Sequence, residues 1–329
     1  MCTAIFDCMG GYFGRTLDLE YSLSEKVAVT PRHFLDRAVY FEGERLSLVG
    51  CAAIRDGTAL YYDGLNEAGL SGAALNFPGE ACYSDSTGSP HEIPSYALLY
   101  ECLRVCRSVE DVKRVLSGRI ITNSGFSEEL PATPLHFMFA DVDSAITVEP
   151  LAEGLKIFEN TVGVMTNSPS FDFQLKNTAS YMHLSPSTPA NTLAPDKGLF
   201  PYSRGLDAFG MPGDYSSASR FVRATFALSA TKPGCGKEAY LSRFFHIMDS
   251  VSVPLGCVVA ENGLDVSTLY TSAMDLNNKV YYFTTYGARH IRKVELLNTE
   301  LDPERLSLFE MYSEECITDA PSAMDMSQF

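Results

Sequence analysis

The chain has 329 residues and a net charge of −16, from 41 acidic and 25 basic side chains. Such a surface repels phosphate backbones and anionic lipid, so neither nucleic acid nor a membrane is an expected partner. Apolar residues make up 46% and charged residues 20%, a globular rather than disordered balance, and no apolar run nears the ~18 residues a membrane span needs.

The first quarter reads as short strands bounded by Gly, Pro, Asp or Asn: 3–6, 12–15, 27–30, 46–52, 59–62 and 69–75. Asn76-Phe77-Pro78-Gly79 breaks that pattern. A helix is predicted over 95–106, with Pro94 at its start and Ala97, Leu98, Cys102, Leu103 and Val105 on its apolar face. A second covers 109–116, with Ser108 as N-cap and Asp111 in its first turn. Antiparallel strands follow at 135–141, 145–150, 156–160 and 162–165, then a helix over 171–181. The Pro-, Gly- and Ser-rich stretch 186–213 reads as a surface excursion. Helices are predicted over 217–228, capped by Ser216 or Ser217, and over 239–249. Strands 269–275 and 279–286 form a hairpin, with Asn277 and Asn278 expected to take the positive φ of its turn. This order indicates a layered α+β fold. No break in composition marks a boundary, so one domain over 1–329 is expected.

The nine cysteines are odd in number and show no CxxC spacing, which argues against a disulfide framework and a structural zinc site. Cys102 and Cys106 read as thiols packed in the core. The six histidines are scattered without metal-ligand spacing. No basic leader precedes the first apolar residues, so the cytoplasm is the expected location.

Cys2 carries the chemistry. Removal of Met1 would leave a thiol and a free α-amine on one residue, which together make a nucleophile and its base. The two groups ordinarily titrate near ~8.5 and ~7.7–8.0, so both work close to neutral pH. A chance Cys after Met is the competing explanation. Arg15 and Asp18, on the strand expected beside Cys2, are suited to hold a thiolate and an ammonium, or else make an ordinary cross-strand ion pair. Asn76 and Asn167 also read as turn residues before prolines. Arg220 opposes the dipole at the start of its helix, which a buried polar or anionic partner would explain.

Six motifs occur in order: Met-Cys-Thr at the start, Phe-Gly-Arg-x-Leu-Asp over 13–18, Ala-Leu-Asn-Phe-Pro ending 74–78, Thr-Asn-Ser-Pro at 166–169, Pro-Gly-Asp at 212–214 and Ala-Ser-Arg-Phe at 218–221. In this the chain resembles the choloylglycine hydrolases, N-terminal nucleophile hydrolases that include conjugated bile salt hydrolases and penicillin V acylases. The resemblance implies a four-layer αββα sandwich, commonly assembled as a homotetramer. It implies Cys2 as nucleophile after loss of Met1, flanked by Arg15 and Asp18. Asn76 and Asn167 would supply the oxyanion hole, and Arg220 would complete the polar shell. No metal or organic cofactor is implied. Asparagine at the Asn76 segment is characteristic of the bile salt branch, where the penicillin branch carries tyrosine. The expected activity is cleavage of glycine- or taurine-conjugated bile salts through a thioester. Leu17, Tyr62 and Phe126 would lie on loops lining the acyl pocket, and Arg204, in Ser203-Arg204-Gly205, would favour glycine conjugates by pairing with their carboxylate. The alternatives are a penicillin V or other N-acyl amine acylase and, in a different class, a non-catalytic binder of amphipathic acids.

Overall fold

Every residue of the strand Cys2–Asp7 is buried, as are all of Tyr12–Leu19 except the last. A strand covered on both faces must lie inside a stack of layers. Its side chains divide with the period of two. Cys2, Ala4 and Phe6 enter an inner apolar cluster with Phe13 and Leu17, whereas Ile5 and Tyr12 join Phe221, Phe244 and Phe245 on the outer side. Each fully buried phenylalanine or leucine contributes roughly 1.5–3 kcal/mol.

The computed structural model describes residues 1–297, 303–317 and 319. It contains two large antiparallel sheets. One runs Val164–Met165, Cys2–Asp7, Tyr12–Leu19, Asp265–Asp275, Val280–Thr285 and Ala288–Glu295. The other runs Gly154–Glu159, Ala145–Leu151, Leu135–Ala140, Ser71–Asn76, Asp63–Asn66, Leu48–Arg55, Lys26–Thr30 and Ser307–Glu310. Helices Phe171–Thr178, Ser217–Ala230 and Lys237–Asp249 cover the outer face of the first sheet. Helices Ser95–Val105 and Val109–Leu116 cover that of the second. The result is the four-layer αββα sandwich.

The second helix starts as its sequence dictates: Ser108 accepts from Asp111 N, and Val109, Val112 and Leu116 are its buried stripe. Cys102 and Cys106 are fully buried and unpaired. The excursion 186–213 holds a single 3₁₀ turn, Leu206–Ala208.

Some expectations change. The strand expected over 69–75 is Ser71–Asn76, and it is preceded by an unexpected strand, Asp63–Asn66, through a turn in which Asn66 Oδ1 accepts from Ala68 N and Leu70 N. At the hairpin the positive φ falls on Lys279, not on either asparagine. Asp275 Oδ1 accepts from the N–H groups of Asn277 and Asn278, which holds both in the turn and passes the left-handed step to the next residue. The edge strands Ala288–Glu295 and Ser307–Glu310 escaped the sequence reading, because the apolar residues of the first fall at every third position instead of every second and the second strand has only four residues.

Gly14 permits the sheet's closest approach: a Cβ there would lie 2.0 Å from the Ser272 carbonyl oxygen. Gly14→Ala is therefore expected to destabilise the fold by about 3 kcal/mol, read as a lower denaturant midpoint at unchanged slope.

Candidate active site

Antiparallel pairing sets Cys2 opposite Leu17 and Ala4 opposite Arg15. Arg15 thereby shares the inner face with the Cys2 side chain, and its Nη2 donates to Cys2 Sγ at 2.6 Å. The rest of the guanidinium is fixed by carbonyls. Nη1 donates to Ala74 O at 2.7 Å and Tyr62 O at 3.2 Å, and Nε to Thr16 O at 3.1 Å. Burial works against its charge, yet Cys2, Tyr270, Asp63 and Asp18 together hold its pKa above the ordinary value.

The main-chain nitrogen of Cys2 faces a different set. It donates to Asn167 Oδ1 at 2.8 Å, and Arg220 Nη2 donates to the same oxygen at 2.7 Å. Arg220 Nη1 also reaches Cys2 O at 2.5 Å and Thr3 Oγ1 at 2.7 Å, while its Nε donates to Tyr215 O. These four acceptors explain an arginine in the first turn of a helix. Burial lowers the Arg220 pKa, opposed by Asp18 and Cys2.

Asn167 Nδ2 donates to Asn76 O at 2.7 Å, so one of its two amide hydrogens is committed and one remains. Ser217 fixes the asparagine backbone: its Oγ accepts from Asn167 N and donates to Asn167 O. Asp18, three residues from Arg15, lies on the opposite face of the strand. Thr16 and Thr268 hydroxyls donate to its carboxylate. No Arg15–Asp18 ion pair forms. Met1 sits against the Asp18 backbone: its ammonium donates to Asp18 O at 2.6 Å and its carbonyl accepts from Asp18 N.

A cavity of about 400 Å³ opens onto Cys2, Arg15 and Asn76. Leu17, Tyr62 and Phe126 line it, with Leu60, Leu99, Leu130, Leu135 and Phe137 among its other apolar walls. Leu17 reaches it from within a strand rather than from a loop. The Tyr62 hydroxyl is buried without a partner. Arg204 is the exception among the expected binding residues. It is exposed and does not line the cavity, because the excursion closes on itself through Ser185 N donating to Asp207 O and His183 meeting Phe209 O. No group of three His, Cys, Asp or Glu among the described residues could hold a metal ion, and no helix there is long and apolar enough to cross a membrane.

Residues 2–309 match the family model for linear amide C–N hydrolases of the choloylglycine hydrolase family. The chain belongs to the choloylglycine hydrolase family. It is 39% identical to a bile salt hydrolase/transferase of Lactiplantibacillus plantarum, over 95% of this chain and 98% of the relative. Its fold superposes with a TM-score of 0.87 on a mutant conjugated bile acid hydrolase of Clostridium perfringens, 30% identical, covering 98% of this chain and all of the other. A penicillin V acylase of Agrobacterium tumefaciens shares the fold at a TM-score of 0.73 and 21% identity, covering 96% and 95%. As a member of this family the chain is an amide C–N hydrolase.

Thr268 and Gln174 hold the site together but carried no sequence signal, since such residues at such separations occur everywhere, and Ser217, which joins them, was legible only as a possible helix cap, a place that Ser216 takes. Gln174 Nε2 donates to the Asn167 and Pro169 carbonyls. The arrangement around Arg15 makes a direct prediction. Arg15→Gln removes the charge beside sulfur and the donors to Ala74 and Tyr62. Alkylation of Cys2 by iodoacetamide at pH 7, followed on its own peptide by mass spectrometry, is expected to slow about tenfold. Stability should fall by about 3 kcal/mol.

Proposed function

We propose that this chain cleaves the amide bond of glycine- or taurine-conjugated bile acids, with Cys2 as nucleophile after removal of Met1. The observation that carries the reading is the Cys2 thiol, held at 2.6 Å by a buried guanidinium on the floor of an apolar cavity. A large apolar acyl group suits such walls, and an amide carbon at the floor lies within reach of sulfur. The bile acid relatives add weight, as does Asn76 on the cavity wall.

In this reading the α-amine of Cys2 takes the thiol proton and sulfur attacks the amide carbon. Negative charge moves to the carbonyl oxygen, for which Asn76 and Asn167 carry amide hydrogens. The C–N bond then breaks as the ammonium protonates the leaving nitrogen, and glycine or taurine departs. Water loses a proton to the same amine and adds to the thioester. The C–S bond breaks, free bile acid leaves and the thiol is restored. Arg15, Asp18 and Arg220 hold the charges in place.

We further read the chain as cytoplasmic and homo-oligomeric, a tetramer by family likeness. Leu193, Phe200, Tyr202 and Phe209, all exposed on the excursion, support a self-association surface.

Amine release from glycocholate and taurocholate, followed with ninhydrin, tests the activity. Wild type with Met1 shown absent by intact mass is expected to turn over, and Cys2→Ala to lose at least about 10³-fold with an unchanged circular dichroism spectrum. Turnover retained in a folded C2A protein overturns the mechanism. No release by processed wild type moves the substrate to penicillin V or another N-acyl amine.

A further inference from the structure

His136 and Glu149 form a buried pair that this mechanism does not use, at 1% and 0% exposure. Leu135 and Phe137 line the cavity, and His136 between them turns to the other face. Its ring lies flat on Phe77, the residue after Asn76, with centroids 4.2 Å apart and planes 9° from parallel. Its Nε2 is 2.8 Å from the carbonyl oxygen of Thr166, the residue before Asn167. Its Nδ1 is 3.1 Å from Glu149 Oε1. Both Glu149 oxygens in turn accept from Phe171 N, at 3.0 and 3.1 Å.

One pair thus grips the segment carrying Asn167 at both ends, at Thr166 and at Phe171, while its ring braces the segment carrying Asn76. The Asn167–Asn76 hydrogen bond closes the circuit. An apolar pair would fill the same space without the cost of burying a carboxylate and an imidazole. The polar contacts therefore serve placement. A carbonyl only accepts, so Nε2 must carry a hydrogen, and the contact between Nδ1 and Glu149 needs one more proton between them.

We propose that His136 and Glu149 are positioning residues that set the spacing of Asn76 and Asn167, and with it the point at which the substrate's carbonyl oxygen is received. The proposal rests on the amide hydrolysis reading of the Cys2 site.

His136→Phe keeps a flat ring on Phe77 and removes both hydrogen bonds. It is expected to lower kcat about 10–100-fold while KM changes less than about threefold, because His136 does not line the cavity. His136→Gln restores an amide donor toward Thr166 and should recover kcat at least about fivefold over H136F. Wild-type kcat in folded H136F, a KM that rises as far as kcat falls, or no recovery in H136Q overturns the proposal. A ¹⁵N spectrum of histidine-labelled wild type gives a readout that needs no variant to fold. His136 is the one buried histidine among the described residues, so its ring N–H exchanges slowly. That hydrogen is expected on Nε2, and a bare Nε2 overturns the proposal. Wild type without turnover counts against the amide reading alone, and the spectrum still decides the clamp.

Discussion

Arg15 carries a charge on a fully buried side chain and, among the described residues, has no carboxylate at ion-pair distance. Its guanidinium joins the two sheets across the inner core: Thr16 and Cys2 belong to one, Ala74 and the residue before Asp63 to the other. Three of its four partners are neutral carbonyls, and the fourth is sulfur. The sulfur is the one partner able to become an anion. The countercharges stand further off. Asp63 is buried, and its oxygens accept from Tyr270, Tyr281 and Ser272 hydroxyls. Burial raises the Asp63 pKa, opposed by Arg15 and by the Tyr270 and Tyr281 hydroxyls. A direct ion pair would neutralise Arg15. Carboxylates beyond ion-pair distance, Asp63 and Asp18, favour its charge and leave its open side to Cys2.

The strand geometry then divides one residue between two environments. The Cys2 side chain follows the inward face, where Arg15 and the cavity lie. Its backbone nitrogen lies where the first sheet meets the helix layer, beside Asn167 and Arg220. Asp18 reaches the same end of the sheet from the opposite face of its strand. A nucleophile and base built on separate residues would need two placements. In the proposed mechanism one strand position fixes both, and the helix Ser217–Ala230 and the loop 166–170 need only supply polar partners.

Much of this was legible from residue type. Ser108, Asp111 and the apolar stripe of Val109–Leu116 mark a helix locally, and the strand pairing of Cys2 with its neighbour follows from a short turn between two apolar runs. The resemblance put Cys2, Arg15, Asp18, Asn76, Asn167 and Arg220 on one list, and the fold gathers all six around one strand end. Residues acting through long-range contacts were not legible. Thr268 meets Asp18 across 250 positions, and only the pairing of Asp265–Asp275 with Tyr12–Leu19 brings them together. The position of Arg204, away from this cavity, was not legible for the complementary reason: an irregular excursion has no periodicity to fix where its side chains go. Leu17 was right for the cavity and wrong for the element, since the strand runs on past Arg15.

The contacts of Met1 show what its removal would change. While Met1 is attached, the Cys2 nitrogen is an amide, with its lone pair delocalised and a single hydrogen given to Asn167 Oδ1. Loss of Met1 turns that nitrogen into an amine and frees the Asp18 carbonyl and N–H that Met1 had occupied. The new amine keeps Asn167 Oδ1 as acceptor and shares it with Arg220. Two cations on one neutral oxygen repel, so Arg220 favours the uncharged amine, the form able to take a proton from sulfur. The Asp18 carboxylate pulls the other way and steadies the ammonium once that proton has moved. One group of each sign around the amine suits the proposed mechanism, in which the same nitrogen serves first as base and then as acid.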